Sequence, residues 1–283
     1  MSIRAVHHLN CATMSPVGGF LLGRRAARGH LVAHCVLLET ERDGLVLIDT
    51  GFGTRDVAGQ TAIPRFFRTM VAPVLDPGET ALAQIEALGL DPGEVRHIVI
   101  THLDLDHAGG LFDFASARVH LHAREHAAAM TRQRRIEKQR YLPVHWAHGP
   151  HWELYTDEGD TWRGLPAISR LRGLDADVGL LPMHGHTRGH SAVIARAGDR
   201  WLVHAGDAYF HHGSLAGSRV PIGLAAFERI TQVDAAARRG SLAALRQLRE
   251  HYADLDVFCA HDPDELAALH ARPQARRTSG KAS

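Results

Sequence analysis

Cysteine is scarce in this 283-residue sequence: Cys11, Cys35 and Cys259 are far apart and odd in number. No CxxC pair exists, so neither a thiolate zinc site nor a disulfide framework has support, and reduced thiols in a cytoplasmic protein are expected. Long apolar runs are missing as well. Nothing approaches the ~18 uninterrupted apolar residues of a membrane span, and no basic stretch followed by an apolar run marks a signal peptide. An excess of one charge is also lacking. Lys and Arg total 32, Asp and Glu 31, for a net charge of +1, so nucleic acid and anionic membranes are not expected partners. No internal repeat of fixed period is found.

Histidine is what the sequence has in plenty, with 22 copies. It is the commonest metal ligand and a proton carrier near neutral pH, so a metal site is worth seeking, although most single histidines belong to core or surface. Hydrophobic residues make up 45%, enough to bury a core and to argue against a disordered chain.

The run Leu31–Thr50, LVAHCVLLETERDGLVLIDT, reads as two strands around a polar turn at Glu41–Gly44. The second strand ends in Asp49-Thr50-Gly51, a way to present a carboxylate at a strand end. Thr80–Leu88 predicts a short amphipathic helix stopped by Gly89. Val95–Ile100 and Ala117–Leu121 predict strands, and Glu125 begins a helical stretch. Leu180–Pro182, Ala192–Ala195, Trp201–His204 and Val257–Ala260 are strand-like, and Ser241–His251 is helical. The stretch 132–162 lacks clear periodicity and reads as an insertion or lid. The pattern predicts an α/β fold, a four-layer αβ/βα sandwich, as one domain over 1–272 with a disordered tail over 273–283.

One segment concentrates the chemistry: Thr101-His102-Leu103-Asp104-Leu105-Asp106-His107-Ala108-Gly109-Gly110. An extended backbone would send His102, Asp104 and Asp106 to one side and Leu103 and Leu105 into the interior. His107 follows at once, and the glycines let the chain turn away. A loop that merely caps a helix needs no flanking histidines.

That segment resembles the HxHxDH signature of the metallo-β-lactamase superfamily. The rest of the pattern follows in register: Asp49 in LIDTG, His186 in GHTRGH, Asp207 in HAGD and His261 in CAHD. The likeness to N-acyl homoserine lactonases lies in LLET-x-x-x-G-LVLIDTGFG, DHAGGL and GHTRGH. It implies two divalent metal ions, zinc by preference with manganese or iron as alternatives. His102, residue 104 and His186 would hold one, Asp106, His107 and His261 the other, with Asp207 bridging. Asp49 would orient the site and His190 would support it by hydrogen bonding. The chain departs from the pattern at Asp104, where the common signature has His. A carboxylate there adds charge and favours harder metals. The superfamily's flavin-linked diiron oxygen reductases carry Glu at that place.

The resemblance implies hydrolysis by metal-activated water, with a lactone or other carboxylic ester as the expected small-molecule substrate. The alternatives are a thioesterase or phosphodiesterase, or an iron-dependent oxidoreductase of the same fold. Asp106 would also take a proton during turnover. Tyr209 is a candidate oxyanion donor, although similar lactonases carry the tyrosine one position later, where this chain has Phe210. His211 and His212 are nearby substitutes, while His120 and His122 are read as structural. Tyr141, Trp146, Trp152, Tyr155 and Trp162 are expected to line an acyl pocket or to form a homodimer surface.

Overall fold

Strands that are apolar on both faces need cover on both sides, and that requirement organises this molecule. The computed structural model describes residues 3–272, apart from the side chains of 166–169; the tail from Pro273 lies outside the described residues. The first sheet contains β1 (Ile3–Met14), β2 (Leu31–Thr40), β3 (Leu45–Ile48), β4 (Val95–Val99), β5 (Arg118–His122) and β6 (His151–Tyr155), in sequence order. Its first pairings are antiparallel, and those from β3 through β6 are parallel. The second sheet contains β7 (Asp160–Trp162), β8 (Leu165–Arg170), β9 (Val178–Pro182), β10 (Ser191–Ala197), β11 (Arg200–His204) and β12 (Leu255–Phe258). Its order is β12-β11-β10-β9-β8-β7, and only β11–β12 is parallel.

Alternation along the strands builds the layers. Val36, Leu38, Val46, Ile48 and Val99 point between the sheets, where they meet Val178, Leu180, Val193 and Phe258. Leu37, Leu47 and Ile98 point the other way, into a cluster that takes in Ile85 and Ala128 from the helices Ala81–Ala87 and Ala123–Thr131. On the far face Val203, Ile194 and Cys259 pack with Leu245 and Leu248 of the helix Ala235–His251. The order is helix, sheet, sheet, helix, as expected for the αβ/βα sandwich. Each fully buried Leu, Ile or Val contributes ~2 kcal/mol to holding the layers.

The stretch 132–162, expected as an insertion or lid, divides: its helix Arg135–Arg140 borders a cavity, as a lid would, whereas its last part is built into the sheets. Its end supplies β6, an edge strand of the first sheet, and β7, an edge strand of the second. Its aromatic residues are bound into the core. Tyr141 and Trp146 are buried with the helices of the first sheet, Tyr155 lies between the sheets, and Trp162 packs on the far face. Trp152 packs half-buried against the same helices as Tyr141, and none of the five lines the cavity beside the site described below.

Candidate metal centre

Every segment of the signature leaves the C-terminal end of a strand: Asp49 after β3, Thr101–His107 after β4, His186 after β9, Asp207 after β11 and His261 after β12. Asp49 itself adopts φ 53°, a left-handed conformation that costs a non-glycine residue about 1 kcal/mol. It is held there by its own contacts. The Thr101 amide and hydroxyl donate to its two carboxylate oxygens at 2.8 and 2.7 Å, and its backbone N–H donates to Val99 at 3.0 Å.

The chain is not extended through Asp106. Asp104 (φ −64°, ψ 153°) ends the extended stretch, and Leu105–Ala108 forms one helical turn. Asp104 therefore reaches the site from extended chain, whereas Asp106 and His107 reach it from a turn whose successive side chains are ~100° apart. Leu103 is buried away from the site as the alternation predicts, whereas Leu105, already in the turn, is buried on the wall of the cavity beside Asp104 and Asp106.

These residues converge in two groups, His102–His186–Asp207 and Asp106–His107–His261, with ligand-type atoms in each within 4.8 Å of one another. Asp207 straddles them. Its Oδ2 lies 3.7 Å from His102 Nε2 and 3.3 Å from His186 Nε2. Its Oδ1 lies 3.2 Å from His107 Nε2 and 3.1 Å from His261 Nε2. Asp104 Oδ2 joins the first group, 3.4 Å from His102 Nε2 and 3.1 Å from His186 Nε2. In the second, Asp106 Oδ2 lies 3.8 Å from His261 Nε2.

Hydrogen bonding fixes which ring nitrogen faces the centre. Nδ1 of His107 donates to Asp49 at 2.8 Å, Nδ1 of His261 to the Val32 carbonyl at 2.8 Å, and Nδ1 of His102 to the Thr101 hydroxyl at 3.0 Å. In neutral rings the Nε2 lone pairs then point at carboxylates and at each other, with His107 and His261 3.4 Å apart. Lone pairs at such distances repel unless a cation lies among them. His102 Nε2 and Asp207 Oδ1 are also buried without a hydrogen-bond partner. The imidazole and carboxylate donor set fits divalent metal ions.

The electrostatics agree. Burial alone would raise Asp207, but His261, His107, His186 and His102 hold its carboxyl well below the usual range. Burial opposes a charged His107, yet Asp207 and Asp49 outweigh it and raise that imidazole well above its ordinary value. Burial drives His186 down to about 4. A centre this acidic takes up either protons or metal, so metal affinity must depend on pH.

His190 is turned away from the ligand set. Its Nδ1 donates to the Met183 carbonyl at 2.7 Å, and its Nε2 accepts from the Asp207 amide at 2.9 Å. It fixes the turn that presents Asp207, where a side chain at Gly206 would strike it at 2.6 Å.

Tyr209 does not face the site. It is wholly buried on the far side of the second sheet, and its hydroxyl lies 3.1 and 3.2 Å from the two carboxyl oxygens of Glu265. The next residue, Phe210, faces the site instead. His212 is held by Asp262 at 2.7 Å, and the His211 ring accepts from Gly213. His120 is bound between His97 and Tyr155. His122 lies near Asp157 and His184, but its Nδ1 accepts from Arg124, which leaves the proton on Nε2, and Asp157 is already paired with Arg124.

Two residues of the site had no signal in the sequence. Glu125 accepts from the Leu103 and Gly189 amides and from the hydroxyls of Tyr141 and Thr187 at 2.6–3.0 Å. It thereby clips the His102 loop to the His186 loop. Arg140, at the end of the helix Arg135–Arg140, places Nε 3.3 Å from Asp104 Oδ1. A cavity of about 380 Å³ opens onto Asp104, Asp106, His186, Asp207 and His261; its other walls are mostly apolar and include Met14, Leu31, Phe67, Phe210, Phe227 and Ile230.

The sequence profile described as the metallo-beta-lactamase superfamily matches residues 28–261, and the chain belongs to that superfamily. It is 42% identical over 261 residues to a probable metallo-hydrolase of Mycobacterium tuberculosis, covering 92% of this chain and 80% of that one. It is 27% identical over 166 residues to an N-acyl homoserine lactonase of Bacillus thuringiensis, 58% of each chain. Among solved structures, an N-acyl homoserine lactone hydrolase with the product N-hexanoyl-L-homoserine at its catalytic metal centre superposes with a TM-score of 0.71 at 18% identity, covering 96% of this chain and 98% of that one. A dizinc quorum-quenching lactonase matches with a TM-score of 0.56 at 16% identity, covering 92% and 85%. No helix among the described residues is long and apolar enough to cross a membrane.

Proposed function

We propose that this metallo-hydrolase opens a lactone or cleaves another carboxylic ester that carries an apolar body. The observation that carries the reading is the mostly apolar cavity ending on Asp106, Asp207 and His261. A lactonase in the same superfamily and a lactone hydrolase of the same fold support the reaction class.

His102, Asp104 and His186 would hold one divalent ion and Asp106, His107 and His261 the second, with Asp207 shared. Two such ions supply Lewis acidity toward the carbonyl and a water activated near neutral pH. The chain's own residues do the rest. Phe67, Phe210 and Phe227 exclude water and hold the apolar part of the substrate. Asp106 lines the cavity beside His261 and accepts the proton of the attacking water, then returns it to the leaving alcohol. Asp49 keeps His107 in the tautomer that presents Nε2.

The test is elemental analysis of protein purified without added metal, paired with lactone, ester, thioester and phosphodiester substrates. Close to two zinc or manganese ions per chain with lactone or ester turnover is the expected result. Iron without hydrolysis would transfer the protein to the redox branch of the fold, and turnover confined to thioesters or phosphodiesters would overturn the substrate assignment.

A further inference from the structure

Asp104 is the one place where the ligand pattern departs from the common signature, and Arg140 is the one buried arginine among the described residues and lies against it. The carboxylate is divided between two tasks. Oδ2 faces His102 and His186 at 3.4 and 3.1 Å, while Oδ1 faces Arg140 Nε at 3.3 Å. The guanidinium cannot swing freely, because its terminal nitrogens donate to the carbonyls of His186 at 3.1 Å and Thr231 at 2.7 Å. One arginine therefore touches two residues of the first group, the side chain of Asp104 and the backbone of His186. Both partners are about nine-tenths buried. Neither Asp104 Oδ1 nor Arg140 Nε has a well-aligned hydrogen bond, so the contact is ionic and leaves Oδ1 without a competing donor.

Charge explains why such a partner is needed. A histidine at position 104 would bring no charge, whereas Asp104 adds a third carboxylate beside Asp106 and Asp207. An uncompensated buried carboxylate is costly, and a guanidinium fixed at its back repays that cost. Burial would push Asp104 up, but Arg140 and then His102 hold it well below the ordinary carboxylate range.

We propose that Arg140 is a positioning residue for the first metal position: it neutralises and aims Asp104, so that a carboxylate serves as ligand where the family pattern carries a neutral histidine. Positions 104 and 140 then form one coupled unit. The inference rests on the metal-centre reading above, so the wild type is measured first; a wild type that binds no zinc or manganese sinks that reading rather than this one.

The experiment compares wild type, Arg140→Met, Asp104→His and the double variant, with Arg140→Lys as a charge-keeping control should Arg140→Met fold poorly. Zinc and then manganese are titrated against a competing chelator, and bound metal is counted by elemental analysis. Arg140→Met is expected to weaken one of the two metals 10–100-fold, the range for loss of a ligand-orienting partner, and to leave the other unchanged. Arg140→Lys should fall between. In the Asp104→His background the same Arg140→Met change should have no effect or should restore affinity, which is the sign of coupling. Equal losses in both backgrounds would overturn the proposal. So would intact metal binding with a raised KM, which would make Arg140 a substrate contact.

Discussion

The groups around His107 and His102 converge on the same carboxylate, yet they are braced by different means. His107 and His261 are held from behind through Nδ1, by the strained Asp49 and by the Val32 carbonyl on the neighbouring strand. Their supports come from strand ends with little freedom to move. On the other side, His186 and Asp104 sit on loops joined by side chains from two helices, Glu125 and Arg140. Of the first two supports one is backbone and the other a carboxylate pinned at a strand end by Thr101, whereas both clips are side chains reaching in from helices outside the sheet, so the His102 group should be the more fragile half.

The shared residue tests the comparison most severely. Asp207→Ala removes a contact from both groups and should lower turnover of the best substrate by roughly a thousandfold, equivalent to several kcal/mol of lost stabilisation. Metal content should fall below one per chain by elemental analysis. Retention of one tightly held metal would show that the groups are independent sites that happen to adjoin.

Glu125→Ala strikes only the fragile half. It orphans the Leu103 and Gly189 amides and the Tyr141 and Thr187 hydroxyls, all deep in the structure, and should destabilise the fold by about 4 kcal/mol. Urea unfolding followed by circular dichroism reads this directly. A loss under 1 kcal/mol would mean that the two loops hold their positions without the clip.

This difference between halves also explains what the sequence could reveal. The ligands could be read because each sits in a short motif beside an apolar strand, as Asp49 follows Leu45–Ile48 and His261 lies just beyond Leu255–Phe258. Layers were legible for the same reason: Leu37 and Leu38 must face opposite ways in a strand covered on both sides. Arg140 was not, because among Arg132, Arg134, Arg135 and Lys138 it looks like part of a solvated helix face, and only folding brings it to Asp104, 36 positions away. Glu125 likewise looks like an ordinary acid in a first helical turn. Strand β1 shows no clean alternation in the sequence, since its pairing with β2 shifts register twice and its middle carries His7, His8 and Asn10. Tyr209 misled because one residue along the chain turns a side chain from the cavity to the far core, and spacing alone does not reveal which.

Behind His261 lies a further contrast, a brace that titrates. Glu265 accepts from the Cys259 amide at 2.8 Å and from Tyr209. Burial raises its carboxyl from 4.5 to about 7. Between those values the folded protein binds the extra proton, so stability falls as pH rises from about 4.5 to about 7 and the loss is complete above that. The loss amounts to at most roughly 3 kcal/mol. Glu265→Gln should therefore gain on the wild type in unfolding free energy as pH goes from 5 to 8. A constant difference across that range would show that Glu265 ionises in the folded state as it does in water.

The finest distinction concerns Asp49. Its carboxylate touches His107 directly but reaches His102 only through the Thr101 hydroxyl. Asp49→Asn preserves shape and removes the charge that sets the His107 tautomer, so the metal at the His107 group should weaken 10–100-fold. The His102 group, one hydrogen bond further away, should lose much less. A two-step chelator titration separates them: the wild type's tighter and weaker steps should move apart or exchange order. Parallel weakening of both steps would mean that Asp49 and Thr101 act as one rigid support, in which case the side braced from the strand ends and the clipped side share a foundation at the end of β3.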